Sequence, residues 1–460
     1  MDHSLCWIRR DLRLHDHHAL SAALEKGTTT VVFVFDTHIL DKLKDEDDRR
    51  ITFIHESLVE IEKELNKRGS SLVVLYGKPE DEIPKLAEKL KVKAVFANRD
   101  YEPYAKKRDE TVRKKLEKAG IEFHQYKDSV YFESREILTG SGAAYKVFTP
   151  YKNNWLHQFE SSRRSIPEYS CSLKNLRKFE NTESILAQDW FKIIGFKKNP
   201  PLLIGGTKIA LKRLQEFTDR MVDYKEARNF PSVDGTSSLS VYIRFGNLSV
   251  RDMIRVAISK KSEGAATWLS EIIWRDFYQM ILDQFPHVAD GSFKPEYDKI
   301  KYSGEEAHFK KWCAGETGFP IVDAAMRCFN ETGLMHNRLR MIVASFLVKI
   351  LLVDWKKGEE YFAQHLLDFD LASNNGGWQW SSSSGCDAQP YFRIFNPYTQ
   401  SEKFDPEGIF IREWVPELAT LPNKNIHRPE NVPGYPTPIV SYELNRLKAL
   451  KMYEAIKKSS

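Results

Sequence analysis

The sequence has few of the features that mark secreted, metal-binding or membrane proteins. Its five scattered cysteines include no CxxC pair, which argues against a disulfide framework or a zinc site and indicates a reducing compartment. The longest apolar run, Met341–Val353, is interrupted by Lys349, so it predicts a buried helix and not a membrane span. The N-terminus turns to charge after eight residues and does not resemble a signal peptide. We therefore expect a cytoplasmic protein with no membrane segment and no metal.

The chain also lacks a strong charge of either sign and any internal repeat. Its 69 Lys and Arg residues against 64 Asp and Glu residues give a formal net charge of +5. That balance is compatible with a polyanionic partner without indicating one. Aromatic residues are abundant, with 10 Trp, 19 Tyr and 27 Phe, and they can supply a large core. A length of 460 residues predicts two or three domains.

The first third of the chain alternates short apolar runs with helical patterns. Strands are predicted at 4–8, 29–36, 71–77 and 94–98, and an amphipathic helix at 49–69. This alternation predicts an α/β domain with a doubly wound parallel sheet over residues 1–132. No GxGxxG follows the first strand, which argues against a Rossmann dinucleotide site there.

The rest of the chain is predicted to be helical, apart from a stretch without periodicity that follows the α/β domain. Residues 133–200 are predicted to form a connector across the surface, and residues 201–460 a larger all-α domain. The segments 266–282, 320–329 and 340–355 are predicted to be buried helices because they are apolar nearly all round.

Two polar clusters suggest ligand contacts. Thr236, Ser237, Ser238 and Ser240 lie where a helix is predicted to begin, so their hydroxyls either cap that helix or bind phosphate. On 268–278, Trp268, Glu271 and Arg275 share one helical face, with Trp274 on an adjoining stripe. Glu271 and Arg275 form either an i,i+4 ion pair or part of a polar cavity for a planar heteroaromatic ligand.

Further polar residues follow along the chain. His336 stands close to Arg338 and Arg340, whose charges lower its affinity for a proton, so a structural or substrate-contacting role is favoured over a base or a metal ligand. Asp368 and Asp370 suggest acid–base chemistry or acceptors for a sugar or a flavin ring. They precede "NNGGWQW" (374–380), which combines amides, bare backbone and indoles.

Several long motifs resemble the photolyase/cryptochrome family, most closely the class I cyclobutane pyrimidine dimer photolyases. They include "WIRRDLRLHDHHAL" (7–20), "WLSEIIWRDFY" (268–278), "TGFPIVDAAMRCFNETGLMHNRLRMIVASFLVK" (317–349) and "DAQPYFRIFNPYTQSEKFDPEGIF" (387–410). The resemblance implies that the C-terminal helical domain holds FAD and that the substrate is damaged DNA. It also allows a second antenna chromophore of unknown identity. It implies no protein partner, and we expect a monomer.

The resemblance also implies roles for individual residues. FAD contacts are expected from Tyr224, Thr236, Ser237, Ser238, Leu239, Ser240, Trp268, Arg275, Asn337, Arg340, Asp368, Asp370 and Asn374. The lesion pocket is expected to use Glu271, Trp274, Asn337, Met341 and Trp380, and DNA phosphates are expected to meet Arg228, Arg338 and Arg393. Glu271 and Asn374 are assigned catalytic roles, together with Trp378 and Trp355, which begin an electron relay.

Three departures from the family pattern, at five positions, refine that expectation. The (6-4) photolyases carry histidine where this chain has Asn337 and Met341, so cyclobutane dimers are the expected lesion. The outer tryptophan of the relay is replaced by Tyr302, which leaves a tyrosine terminus, a bypass or a less efficient relay as alternatives. Tyr104 and Ala105 replace the Asn-Glu pair of folate-type enzymes, so a deazaflavin, a flavin or no antenna is expected.

Two other functions compete with dimer repair. The first is a cryptochrome-type blue-light receptor without repair activity; Asn374 matches photolyases at a position where plant and insect cryptochromes commonly carry Asp or Cys. The second is a flavin oxidoreductase that uses Asp368 and Asp370, although no nicotinamide site is predicted.

Overall fold

The computed structural model describes residues 2–162, 165–182 and 184–458. Residues 2–126 form a five-stranded parallel sheet of order β3-β2-β1-β4-β5, which confirms the predicted doubly wound α/β domain. The strands are β1 (Asp2–Ile8), β2 (Gly27–Asp36), β3 (Val73–Gly77), β4 (Ala94–Asn98) and β5 (Glu122–Tyr126). The helices between and after them are α1 (His18–Lys26), α2 (Thr37–Leu40), α3 (Arg49–Asn66), α4 (Pro79–Lys89) and α5 (Pro103–Lys118).

Strand β1 lies at the centre of the sheet and is apolar on both faces. Leu5 and Trp7 join one hydrophobic cluster, while Cys6 and Ile8 join a second cluster that continues into the helical part of the chain. Alternating side chains of a strand point to opposite faces, so helices cover both sides of this sheet. Strand β5 was not predicted. Only Phe123 of its five residues is buried, so its sequence contains no apolar run.

The remainder of the chain is helical, as predicted, and packs around α12 and α15. Its helices are α6 (Phe148–Ser161), α7 (Trp190–Ile194), α8 (Thr207–Arg220), α9 (Tyr224–Ala227), α10 (Ser240–Arg244), α11 (Val250–Ser259), α12 (Glu263–Gln284), α13 (Glu306–Ala314), α14 (Pro320–Thr332), α15 (Asn337–Lys349), α16 (Trp355–His365), α17 (Leu371–Ser381), α18 (Pro397–Phe404), α19 (Ile409–Trp414), α20 (Asn423–Ile426) and α21 (Tyr442–Lys458). In the described part of the chain, no helix is both long enough and apolar enough to cross a membrane.

The predicted surface connector contains helix α6, which has one buried face and one face exposed to solvent. Tyr151 and Trp155 of α6 have no exposed surface, and Trp155 Nε1 donates a hydrogen bond to Asp276 of α12 at 3.1 Å. Burial raises the pKa of Asp276 to about 6. The buried residues of α6 recur at three- and four-residue spacing, which is a helical pattern, but the prediction treated the whole stretch as aperiodic. The domain limits at residues 132 and 200 stay a prediction.

The predicted helix over 340–355 is also corrected. Helix α15 ends at Lys349, and the buried segment Ile350–Val353 turns before α16. Leu352 adopts a left-handed conformation with φ of 57°, and its carbonyl accepts a hydrogen bond from Gly304 N–H at 2.8 Å. Asp354 then caps α16 by accepting from Lys356 N–H at 3.0 Å. Apolar composition alone could not distinguish this buried turn from more helix.

Candidate functional site

Helix α12 carries four of the predicted site residues. It begins at the Ser262 cap, whose hydroxyl accepts from Ala265 N–H at 3.1 Å. Trp268 is 3% exposed, whereas Glu271, Trp274 and Arg275 are half-buried. One helix therefore connects a buried indole to a carboxylate and a second indole that reach solvent.

The charged groups of α12 do not pair with each other. Glu271 forms an ion pair with Arg228, and Arg275 donates to the carbonyl of Ser129 in the segment that follows β5. The i,i+4 ion pair considered from the sequence is therefore wrong. The cavity interpretation gains support because Glu271 belongs to a wider polar cluster with Arg228, which is only 23% exposed.

The start of α15 forms the opposite side of this cluster. His336 Nδ1 caps the helix by accepting from Arg338 N–H at 3.2 Å. Burial and the nearby cations of Arg338, Arg340 and Arg228 lower the pKa of His336 to about 4, which confirms that it is a poor base. Arg338 Nη2 donates to Asn229 Oδ1 at 2.6 Å. Asn337 is exposed and Met341 is half-buried, so both are accessible to a ligand.

Three arginines hold the loop between α16 and α17. Arg340 Nη2 contacts both oxygens of Asp368 at 2.8 and 3.0 Å. Arg244 donates to the carbonyl of Phe369, and Arg10 of the α/β domain pairs with Asp370. The loop that carries the two predicted acids is thus fixed from both domains.

Asp370 is engaged entirely by protein groups. It caps α17 by accepting from Ser373 N–H at 3.0 Å, and Gln279 Nε2 lies 3.1 Å from both of its oxygens. Burial acts to raise its pKa, but Arg10 above all holds that pKa well below its ordinary range. Asp370 therefore serves as a helix cap and a joint between domains. Sequence reasoning missed Arg10 and Gln279, since nothing in their local pattern points to Asp370.

Helix α17 contains the "NNGG" segment. The absence of a side chain has a different consequence at each of its two glycines. A Cβ at Gly376 would lie 2.3 Å from the Tyr278 ring, so glycine permits the close contact with α12. At Gly377 a Cβ would meet nothing within 4 Å, so this side of α17 faces open space. Asn374 is 8% exposed, and its Nδ2 donates to Glu359 Oε1 at 2.9 Å. Its side-chain oxygen is left as a hydrogen-bond acceptor.

Trp355 of α16 and Trp378 of α17 belong to one hydrophobic cluster. A Cβ at Gly358 would approach the Trp378 ring to 2.2 Å, so α16 crosses α17 directly over that indole. Trp355 lies three residues before Gly358 and is 2% exposed. The fully buried Trp312, which the sequence did not single out, lies 6.1 Å from Trp378 between ring centroids. Trp380 is half-buried on the next turn.

The hydroxyl-rich loop before α10 does not cap that helix, so the capping interpretation is wrong. The cap position is Leu239, which has no side-chain hydrogen bond. Ser238 has φ of 51°, a left-handed backbone conformation. Among the described residues, none donates to or accepts from the hydroxyls of Thr236, Ser237, Ser238 and Ser240. Tyr224, 8% exposed, lies nearby with Arg228 5.5 Å above its ring.

The donor set around these helices fits FAD. Within residues 2–162, 165–182 and 184–458, Arg244 Nη1, His336 Nε2 and Arg338 Nε are buried without a hydrogen-bond partner. Buried polar atoms are normally satisfied, so those beside this site point to a bound group, either FAD or the DNA phosphate expected at Arg338. Free hydroxyls and guanidinium groups suit a diphosphate and sugar, and Trp268, Asn374 and the open face at Gly377 suit a flavin ring.

The α/β domain offers a different environment. At the carboxyl ends of β4 and β5, an edge where doubly wound sheets bind ligands, a crevice of about 320 Å³ is lined by Asp100, Gln125 and Glu133. The crevice beside Arg9 and Asn98, at the ends of β1 and β4, has a volume of only about 20 Å³. Tyr104 donates to Asp36 Oδ2 at 2.7 Å and stacks on His38 at 4.4 Å. These contacts fill the space beside β2 with the chain's own side chains.

Comparison with known protein families matches both parts of the chain. Residues 4–170 match the family described as DNA photolyase, and residues 268–455 match the FAD binding domain of DNA photolyase. A deoxyribodipyrimidine photo-lyase from a Synechococcus species is 39% identical over 98% of this chain and 96% of that protein.

Solved structures agree along the whole chain. A class III photolyase from Agrobacterium tumefaciens is similar with a TM-score of 0.91 and 32% identity, covering 100% of this chain and 98% of that one. A Sulfolobus tokodaii photolyase with two FAD molecules has a TM-score of 0.85 and 35% identity, covering 98% and 100%. A cryptochrome from Synechocystis has a TM-score of 0.86 and 29% identity, covering 98% of each chain. The chain belongs to the photolyase/cryptochrome family, with that family's FAD-binding domain and with relatives that admit a second chromophore.

Proposed function

We propose that this protein cleaves cyclobutane pyrimidine dimers in DNA under light. The observation that carries the proposal is helix α12. It presents the half-buried Glu271 and Trp274 to solvent and keeps Trp268 buried within the part of the chain that matches the FAD-binding domain. The same helix can therefore contact a lesion and a flavin.

FAD, when bound and reduced, supplies the light absorption and the electron. The proposed contacts are Tyr224, the 236–240 loop, Trp268, Arg275, Asn337, Arg340, Asp368 and Asn374. Glu359 holds the Asn374 amide so that its oxygen can accept from an N–H of a reduced flavin ring. Arg340 holds Asp368 in the adjoining loop. Asp370 supports the fold of this site, and Arg275 reaches a phosphate only by leaving the Ser129 carbonyl.

A dimer flipped out of the duplex is proposed to stack on Trp274 and Trp380, with Met341 beside it. Glu271 and Asn337 then hydrogen-bond the edges of its bases. DNA phosphates are proposed to bind Arg228, Arg338 and Arg393. These contacts fix the position of the protein along the duplex and do not depend on the base sequence. Two carbon–carbon bonds of the cyclobutane ring break and two base double bonds form again, so the reaction consumes no net electron.

Trp378 and Trp355 are proposed to carry electrons inward when the flavin is oxidised. Tyr302 packs half-buried beside the cluster that contains Trp355, and burial raises its pKa. This position supports Tyr302 as the outer member of the relay, with a bypass or a less efficient relay as the alternatives.

Illumination of FAD-loaded protein with defined lesions tests the proposal. We expect loss of cyclobutane dimers from double-stranded DNA in light and none in the dark, with (6-4) photoproducts unchanged. Single-stranded DNA with the same lesion is the control. Repair of that substrate alone would indicate an enzyme restricted to single strands. Dimers that persist under light together with light-induced changes in the protein would favour the cryptochrome function, and NAD(P)H consumption would favour an oxidoreductase.

A further inference from the structure

We infer that Phe148 is a positioning residue that fixes Trp274 for stacking against the lesion; this inference rests on the proposed function. The Phe148 and Trp274 ring centroids lie 3.6 Å apart with planes 8° from parallel. No other aromatic pair in the described part of the chain has a shorter centroid distance. One face of the indole is therefore covered by protein.

Phe148 is itself held in place from several directions. It is the first residue of α6 and is 6% exposed. Its backbone N–H donates to Asp387 Oδ2 at 3.0 Å, which ties α6 to the loop after α17. Its ring also meets Phe277 at 5.8 Å with an interplanar angle of 74°. The phenyl ring therefore cannot follow a movement of the indole.

Two further rings pack against Trp274. Phe277 meets it edge-on, 5.6 Å away at an interplanar angle of 81°, and Tyr278 lies in an offset stack 5.4 Å away at 29°. Isolated rings prefer offset or edge-on arrangements, so a nearly parallel pair at this distance is imposed by the surrounding packing. Trp274 nevertheless keeps exposed surface.

A fixed indole lowers the cost of binding. A flipped base that stacks on a mobile indole must also immobilise that indole. An indole already held by a neighbouring ring is in the bound orientation before the base arrives. Stacking on an aromatic side chain contributes substantially to the binding of any base. Loss of the Phe148 support should therefore weaken lesion binding while leaving phosphate contacts intact.

The test compares Phe148→Leu with Phe159→Leu in FAD-loaded protein. Phe159 is a matched control because it lies on α6, is 2% exposed and contacts Trp155 but not Trp274. The Kd is measured for dimer-bearing and undamaged duplexes in the dark. We expect Phe148→Leu to reduce the preference for the lesion by about three- to tenfold and Phe159→Leu to leave it unchanged.

A second pair of variants tests the anchor. Asp387→Asn retains a side-chain oxygen that can accept from Phe148 N–H, whereas Asp387→Ala does not. We expect Asp387→Ala to reduce the lesion preference and Asp387→Asn to restore it; this pair decides the question if Phe148→Leu does not fold. An unchanged preference in Phe148→Leu, or equal losses in both Asp387 variants, overturns the inference. A wild-type protein without lesion preference instead contradicts the proposed function.

Discussion

Two regions of the molecule differ in how their buried charged groups are paired. At the base of the α/β domain, Asp128 is contacted by Arg13 at 2.7 Å and by Arg251 at 2.8 Å, and all three side chains are at most 4% exposed. Around α15, by contrast, Arg338 Nε and His336 Nε2 are buried without a partner in the described part of the chain. The closed network joins the domains, whereas the open one has donors left for ligands.

The largest expected effect comes from opening the closed network. Asp128→Ala leaves Arg13 and Arg251 buried without their shared carboxylate, which should lower the free energy of unfolding by about 3–5 kcal/mol. Urea unfolding measures the loss. Asp81→Ala is the control, because Asp81 pairs with Lys115 on the surface and should cost less than about 1 kcal/mol. Similar losses in the two variants would show that the Asp128 network contributes no more than a surface pair.

The open network should respond to pH through His336. Its folded pKa of about 4 lies below the unfolded value of 6.5, so the folded protein binds fewer protons between these values. The stability that depends on neutral His336 is therefore present above pH 6.5 and is lost as pH falls towards 4, by roughly 2–3 kcal/mol. The measurement is the difference in unfolding free energy between the wild type and His336→Asn, which retains a helix cap.

That difference isolates His336 from other groups. Asp276 has a pKa raised to about 6, and it acts with the opposite sign because its neutral form favours the fold at low pH. Its contribution is shared by both proteins and cancels. A difference that does not change between pH 7 and pH 4 would contradict the assigned titration.

A smaller effect is expected at Glu271, the carboxylate proposed to contact the lesion. Glu271→Ala should lower the number of dimers repaired per absorbed photon by about tenfold, the loss of one charge-assisted hydrogen bond. Flavin absorption should stay unchanged, because Glu271 pairs with Arg228 and is not among the proposed flavin contacts. Glu263→Ala, on the exposed first turn of the same helix, is the control. An unaltered photon yield would remove Glu271 from the mechanism.

The smallest effect concerns DNA phosphates. Arg393 is exposed, and Arg393→Ala should weaken binding to damaged and undamaged duplexes alike by less than about tenfold. The slope of log K against log salt concentration is negative, and its magnitude should decrease by about one. Fluorescence anisotropy at several salt concentrations gives both quantities. A loss confined to damaged DNA would place Arg393 at the lesion instead of the backbone.

The sequence predicted the sheet and the long helices because strand alternation and apolar periodicity are local properties. It could not predict the partners of the polar residues. Glu271 pairs with Arg228 from α9's C-terminal end, and Asp370 pairs with Arg10 from the other domain. Helix α6 is a different case, because its buried aromatic residues recur with helical spacing and only the stack of Phe148 on Trp274 depends on the tertiary fold. Pairings between distant segments are set by the tertiary fold and leave no local pattern.

The central claim is that the helical site uses light and FAD to cleave dimers. The direct measurement removes FAD, restores it in steps and counts dimers in duplex DNA after equal illumination. We predict no repair by the stripped protein, repair that rises in proportion to bound reduced FAD, and none in darkness. Dimers that remain at full FAD occupancy under light, or that disappear without FAD, would contradict the account.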